Sequence, residues 1–352
     1  MALMVLVNSP GNQTAYALLE HSAWNGCTLA DLVFPFFIFI VGVSLVFALS
    51  KRIEQGASMH SLIGTVLKRS LIIFGLGIFM NAVPYHLNFE TLRVYGVLQR
   101  IAICYCFAAL LFLTTRIRTQ ALIAAGLMIG YWIIMTCVPV PGFGVDDLTQ
   151  AGNLAGYIDR LVFTSAHLYE NIFDPEGILS TLPAMSTALL GNLIGAWLLS
   201  QTTQQKKMFV MVVAGILGLI VGWVWGVWFP INKNLWSSSF VLWTAGSAIL
   251  LLAVCYGFIE IKQWRRWSKP FEIFGMNAIA LYVLHIFFLR FQAMVHMPRL
   301  DGSSGHLRFF ITEQLFGWTS LQMASLLYAC SYILFWLLIF TILYKNKIFI
   351  RI

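Results

Sequence analysis

The chain has 352 residues, 59% of them hydrophobic and only 10% charged. Soluble domains carry about 25% charged residues, so the composition excludes an ordinary water-soluble globular protein and points to a polytopic membrane protein. The formal charge of +8 would suggest a nucleic-acid partner in a soluble chain, but here the basic residues fall in short breaks between apolar runs, where they set membrane topology, and no nucleic acid is expected.

The chain opens on "MALMVLV", ahead of Asn8. At about 1.5 Å per residue this stretch covers roughly a third of a ~30 Å hydrocarbon core, so it reads as the end of a helix whose first turns are missing. It has no basic n-region and no cleavage site, which argues against a signal peptide. Long apolar runs follow near residues 30–50, 70–84, 97–115, 119–138, 178–200, 208–229, 238–261, 271–292 and 321–344. With the opening stub they predict an all-α, polytopic helical membrane protein of about ten transmembrane helices, the first truncated. No repeat and no linker divides the chain, so residues 1–352 are expected to form a single transmembrane domain.

The breaks between the runs alternate in character. One set is short and basic: Lys51 and Arg52; Lys68 and Arg69; Arg116 and Arg118; Lys206 and Lys207; Lys262, Arg265, Arg266 and Lys269; and the tail residues Lys345, Lys347 and Arg351. The positive-inside rule makes this set cytoplasmic, with both termini inside. The other set, near 9–28, 85–96, 139–177, 230–237 and 293–320, holds most acids and turn residues and is expected outside. It includes the Pro/Gly loop "CVPVPGFGVDDL" and the exposed tip "RLDGSSGH". The six cysteines show no CxxC pair and no ligand spacing with histidine, so they read as packing residues, and no disulfide framework and no metal are expected.

Polar side chains inside a bilayer are costly and usually have a task. Here they gather at the expected outer face: Asn8, His21, Asn25 and Asp31; Gln99 and Arg100; Asp174 and Glu176; Asn232, Lys233, Asn234 and Trp236; Asn277 and His285. Each has a plainer reading. Trp24 and Trp236 suit interface anchors. Arg100 suits an ion pair with a nearby acid. Glu176 suits the start of the next helix. His285 suits a core histidine, and its spacing from Asn277 would let both look into the bundle from one helix face. His60, His86, His167, His296 and His306 carry no signal on their own.

His21 stands apart, because it precedes a helix, sits beside amide donors and lies ten residues before Asp31. An imidazole there can act as a base or nucleophile near neutral pH, a carboxylate can orient it, and Asn8 or Asn25 could donate to an oxyanion.

The segment "VLVN…HSAWNGCTLADLVFPFFIFIVGVS" resembles the catalytic membrane region of the heparan-alpha-glucosaminide N-acetyltransferase family. The resemblance continues through "LRVYGVLQR", "FDPEGILSTLP", "FPINKNLWSSSFVL" and "GMNAIALYVLH" in family order. It implies a transmembrane acyltransferase that takes acetyl from cytoplasmic acetyl-CoA and delivers it to the amine of a glucosamine-type sugar on the far side of the membrane. The family's functional histidine maps onto His21 and its "VNxxG" asparagine onto Asn8; from the spacing, Asp31 is expected to hold the imidazole.

The remaining blocks imply a substrate-binding lining of Trp24, Asn25, Arg100, Asp174, Glu176, Asn232, Lys233, Trp236, Asn277 and His285. In it, Asp174 and Glu176 would attract the sugar ammonium and Trp24 or Trp236 would stack on its ring. Acetyl-CoA is the implied co-substrate, its phosphates held by inner-loop Lys and Arg and its arm running between helices toward His21. Family members carry more chain ahead of the Asn8 block, with an Asp and an Arg-Gly pair not found here. The animal enzyme's large lumenal domain also has no counterpart, so a small amino sugar or a cell-envelope glycan terminus is the implied acceptor. The implied setting is a bacterial inner membrane with lipid around the chain, and a homodimer is compatible with it. Two other classes fit a polytopic chain: a secondary transporter of a small polar or sugar-like solute without chemistry, although neither repeats nor paired broken helices are seen, and a non-catalytic scaffold or sensor, which would not need His21 beside a carboxylate.

Overall fold

A computed structural model describes residues 1–83, 88–169, 171–298 and 304–350. His86, Arg351 and part of the "RLDGSSGH" tip lie outside these described residues. The helices are α1 (Ala2–Asn8), α2 (Val33–Glu54), α3 (Met59–Ala82), α4 (Val97–Thr114), α5 (Ile117–Cys137), α6 (Leu154–Phe163), α7 (Thr181–Leu199), α8 (Gln204–Trp225), α9 (Ser238–Tyr256), α10 (Lys269–Met276), α11 (Ala278–Met294), α12 (Leu307–Phe316) and α13 (Leu321–Lys345). A short antiparallel ribbon, β1 (His296–Pro298) and β2 (Ser304–His306), joins α11 to α12. Among the described residues, eight helices are long and apolar enough to cross a membrane, and the pair α10–α11 makes a ninth if counted as one span. The chain is a multi-pass helical membrane protein.

Two boundaries differ from the hydropathy reading. The second run was expected to begin near residue 70, with Lys68 and Arg69 in a loop. Instead α3 starts at Met59 and both residues lie within it. The start is fixed by a cap: the Ser58 hydroxyl accepts the Ser61 N–H, just past the turn at Gly56. The Arg69 guanidinium lies 5.0 Å above the Tyr105 ring of α4, which gives the cation an aromatic partner. The run at 271–292 was expected as one helix but bends by 74°. Asn277 sits at the break with non-helical φ −129° and ψ 40°. Its side chain turns to the tail, donating to the Ile348 carbonyl at 3.2 Å and accepting from the Ile350 N–H at 2.7 Å. Asn277 and His285 therefore do not share one continuous helix face.

The contacts divide the chain into two compact units. The first comprises residues 1–21, 28–33 and the chain from Gln263 onward; the second comprises 22–27 and 34–262. In the first, α1 packs on α13 through a core that includes Met4, Val5, Leu281, Tyr332, Trp336 and Phe340. In the second, the main pairs are α8 with α9, α3 with α4, and α5 with α7. The second unit uses small residues for close helix contact, as membrane bundles do in the absence of a hydrophobic drive between helices. A Cβ on Gly42 of α2 would come within 2.0 Å of the Ala188 carbonyl oxygen on α7, and one on Gly191 within 2.1 Å of the Phe39 carbonyl oxygen. No larger residue fits this reciprocal crossing.

Candidate active site

His21 and Asp31 both belong to the first unit. Asp31 lies in a single 3-10 turn, Ala30–Leu32, that leads directly into α2. One carboxylate oxygen, Oδ2, accepts the Thr28 N–H at 3.0 Å and lies 3.1 Å from the Thr28 hydroxyl. That is the reach-back half of a capping box, and the carboxylate also suits the positive end of the helix that follows. Capping accounts for Oδ2 only. The other oxygen, Oδ1, lies 2.7 Å from His21 Nδ1. The Asp31 side chain is completely buried, whereas the His21 side chain is about half exposed (49%).

Because an ionised carboxylate only accepts, this contact makes Nδ1 the protonated nitrogen and gives Nε2 the basic lone pair. The arrangement is the acid–histidine half of a catalytic triad.

His21 borders a cavity of about 400 Å³ within the first unit, whose polar wall includes Asn12, Tyr16, Glu20, Arg308 and Ser325. The loop 9–20 is held in place at Gly11, whose N–H donates to Ser325 Oγ and whose carbonyl accepts from Thr312 Oγ1, both at 2.9 Å. A Cβ at Gly11 would meet Thr312 Oγ1 and Tyr328 Cβ at 2.7 Å, so glycine is required there. Asn12 is engaged locally, donating to the Leu321 carbonyl and accepting from Thr14. Arg308, on α12, has no carboxylate within ion-pair distance among the described residues. Partial burial pulls its guanidinium below the ordinary value, with Tyr328 and Tyr332 acting in the opposite direction.

Asn8, the expected oxyanion donor, ends α1 at an exposed position, and it is the neighbouring Leu6, Val7 and Pro10 that line the cavity. Arg308 and Glu20 were missed in the sequence. Glu20 adjoins His21, but Arg308 gave no signal within a long polar loop. His285 is buried on α11, with Nδ1 donating to the Leu281 carbonyl at 2.9 Å and its own carbonyl accepting from Tyr332 Oη. Its Nε2 is buried and has no hydrogen-bond partner among the described residues. His285 and Asn277 belong to the first unit but not to the cavity wall.

The remaining expected site residues lie in the second unit and form small groups. Trp24 donates its indole N–H to the Leu148 carbonyl at 2.9 Å and packs edge-on against Phe173. Asn25 accepts from Asn232 Nδ2 at 3.1 Å. Asn232 in turn shapes its own loop, its Oδ1 accepting the Leu235 N–H and its N–H donating to Ser237 Oγ. Lys233 follows in the same turn. Trp236 is not an interface anchor: it is fully buried, with Phe34 and Phe240 edge-on and the Arg100 guanidinium 5.0 Å above its ring. The expectation that it stacks on a sugar meets a ring already enclosed by protein.

Arg100 is fully buried and donates to the Gly177 carbonyl and to Ser180 Oγ, pinning the "DPEGILS" loop. It makes no ion pair with an acid among the described residues. Arg93, which the sequence reading passed over, takes that role. Its Nε donates to Asp174 Oδ2 at 2.7 Å and its Nη2 to both Asp174 Oδ1 and Glu176 Oε2. Burial lowers the Arg93 pKa, but its hydrogen bonds to Asp174 and the charges of Glu176 and Asp174 outweigh it and hold the guanidinium above its ordinary value. The two acids expected to attract an ammonium thus share one guanidinium within the protein.

With this geometry in view, the comparisons with known proteins are specific. The family model described as heparan-alpha-glucosaminide N-acetyltransferase, catalytic, matches residues 1–224. The chain belongs to this family. Both His21 and Asp31 fall inside the matched segment, whereas Arg308 lies beyond it. The human heparan-alpha-glucosaminide N-acetyltransferase is 32% identical over 410 aligned positions, covering 100% of this chain and 58% of the human protein. The mouse protein of the same name is 32% identical over 340 positions, covering 81% of this chain and 51% of its own length. The chain thus spans between half and three-fifths of the length of these relatives. Among the described residues, no three His, Cys, Asp or Glu side chains converge as metal ligands.

Two outcomes follow from the buried charges of the second unit. Arg93→Met leaves Asp174 and Glu176 unneutralised side by side and is expected to cost about 3–5 kcal/mol, the range for breaking a buried ion pair. Thermal unfolding in detergent measures it, and an unchanged midpoint would contradict the pairing. Asp159 is the second case. Burial, with the Asp174 charge, raises its carboxyl from 3.8 to about 6, partly offset by the Ile178 N–H and by Arg100. A raised folded pKa contributes stability that is complete below 3.8 and is lost as pH rises through about 6. Asp159→Asn keeps the acceptor for Ile178 and does not titrate. Its unfolding midpoint is therefore expected to gain on the wild type between pH 4 and pH 7.5, by on the order of 2–3 kcal/mol. A constant difference across that range would contradict the raised carboxyl.

Proposed function

We propose that this chain is a membrane N-acetyltransferase that moves acetyl from acetyl-CoA to the amine of a glucosamine-type sugar, with His21 at the centre of the transfer. Membership of the family supports the reaction class. The observation that carries the assignment is the 2.7 Å contact between His21 Nδ1 and the fully buried Asp31 carboxylate at the wall of a cavity.

Acetyl transfer from a thioester to an amine needs a positioned carbonyl, stabilisation of the developing oxyanion and removal of a proton from the amine. With Nδ1–H donated to Asp31, Nε2 is the atom that removes the proton or takes the acetyl group as an acetyl-imidazole. Asp31 sets the tautomer and stabilises the imidazolium as it forms. Arg308 places a guanidinium in the same cavity, where it can stabilise a developing negative charge. Glu20 places a carboxylate there, where an ammonium can be received.

The donor is expected from the cytoplasmic side, its phosphates near the basic inner loops, and the acceptor from the periplasmic side of a bacterial inner membrane. The acceptor is a small amino sugar or a glycan terminus.

The test is direct. Purified protein is incubated with acetyl-labelled acetyl-CoA and glucosamine. Label is expected on the sugar nitrogen, and His21→Ala is expected to lower turnover by about 10²–10⁴-fold, the usual share of a positioned general base. Asp31→Asn is expected to lower turnover by at least about 10²-fold, because the amide favours the wrong tautomer. Label on the protein in the absence of sugar identifies the acetyl-imidazole route. Full activity in His21→Ala would refute the proposal.

A further inference from the structure

The ribbon between α11 and α12 brings together two histidines that are unremarkable in the sequence. In the antiparallel register His296 lies directly opposite His306. One residue along, the Leu307 N–H donates to the Val295 carbonyl at 2.8 Å. That bond makes His296–His306 a non-hydrogen-bonded pair, the kind in which facing side chains come closest. The ring centroids are 5.1 Å apart and the rings are tilted by 54°.

Each Nδ1 is also held by a backbone carbonyl: His296 Nδ1 by Met294 O at 3.1 Å and His306 Nδ1 by Ala293 O at 2.7 Å. A carbonyl cannot donate, so both Nδ1 atoms carry the proton and both Nε2 atoms carry the lone pair. This is the tautomer and the carbonyl support that metal-bound imidazoles ordinarily have. Two neutral imidazoles on adjacent strands, oriented before any ion arrives, suit a borderline divalent ion at an N–M distance of about 2.0–2.1 Å, with water completing the shell.

We propose that His296 and His306 form a two-histidine site for a divalent transition-metal ion of the zinc, copper or nickel class. The site is independent of the acetyl-transfer reading. An ion held there ties the end of α11 to the start of α12, since His306 immediately precedes Leu307 and its ring is anchored on Ala293. The same helix carries Arg308 into the cavity wall and Thr312 onto Gly11, so occupancy would stiffen the wall opposite the loop 9–20.

The experiment uses the full chain without a polyhistidine tag. Thermal unfolding and calorimetric titration are run with ZnCl₂, and with MgCl₂ as the control. The variants are His296→Asn, His306→Asn and the pair together. Asparagine keeps an N–H for the carbonyl that holds each ring but offers no imidazole ligand, so the ribbon can still form. Zinc is expected to raise the wild-type midpoint by several degrees once the ion is in about 100-fold excess over its Kd, and magnesium is not. Each single variant is expected to lose at least about tenfold in zinc affinity, the lower bound seen even for losing an outer-shell partner, and the double variant to lose the shift. Absence of zinc binding by the wild type overturns the proposal. So does wild-type affinity in both single variants, or zinc binding that disappears only on His21→Ala.

Discussion

The candidate chemistry depends on one buried carboxylate. Asp31 is completely enclosed at the start of a helix long enough to cross a membrane. Leaving such a charge unpartnered would cost several kcal/mol. Its two oxygens divide the work, one closing the helix entry on Thr28 and the other meeting His21. Charge-assisted hydrogen bonds contribute about 1.5–3 kcal/mol each, so helix entry and imidazole orientation are stabilised by the same group. Moving Asp31 would disturb both, and for that reason the half-exposed ring of His21 keeps a fixed tautomer.

The second unit solves the same physical problem differently. Its loop from Asp174 to Ser180 is held by Arg93 on the two acids, by Arg100 on a carbonyl and a hydroxyl, and by Asp159 on the Ile178 N–H. Arg100 finds an aromatic face at Trp236 rather than a carboxylate. These groups look like a binding constellation in one dimension, yet in space most of their capacity is spent on each other.

Much of this architecture is legible in the sequence, because a bilayer imposes long apolar runs and each run holds at least one helix. What hydropathy cannot see is a cap or a bend. Ser58 starts α3 well before its apolar stretch, and Asn277 breaks α10 from α11 by turning its amide to the tail. The His21–Asp31 pair was readable because both partners sit in one short segment and one family block. Arg93 with Asp174, and Arg308 in the cavity that His21 borders, bring together residues far apart in the chain, and spacing carries no trace of such juxtapositions. The same holds for His296 and His306, whose juxtaposition is set by strand register.

The central claim is that Asp31 fixes the protonation pattern of the His21 ring. Nitrogen NMR on protein labelled at histidine measures it directly, with His21→Ala identifying the signal. The account predicts that the neutral form of the His21 ring carries its proton on Nδ1, shifting toward the Nε2-protonated form in Asp31→Asn. A wild-type ring already protonated at Nε2 alone, or one that is the same in both proteins, would contradict it.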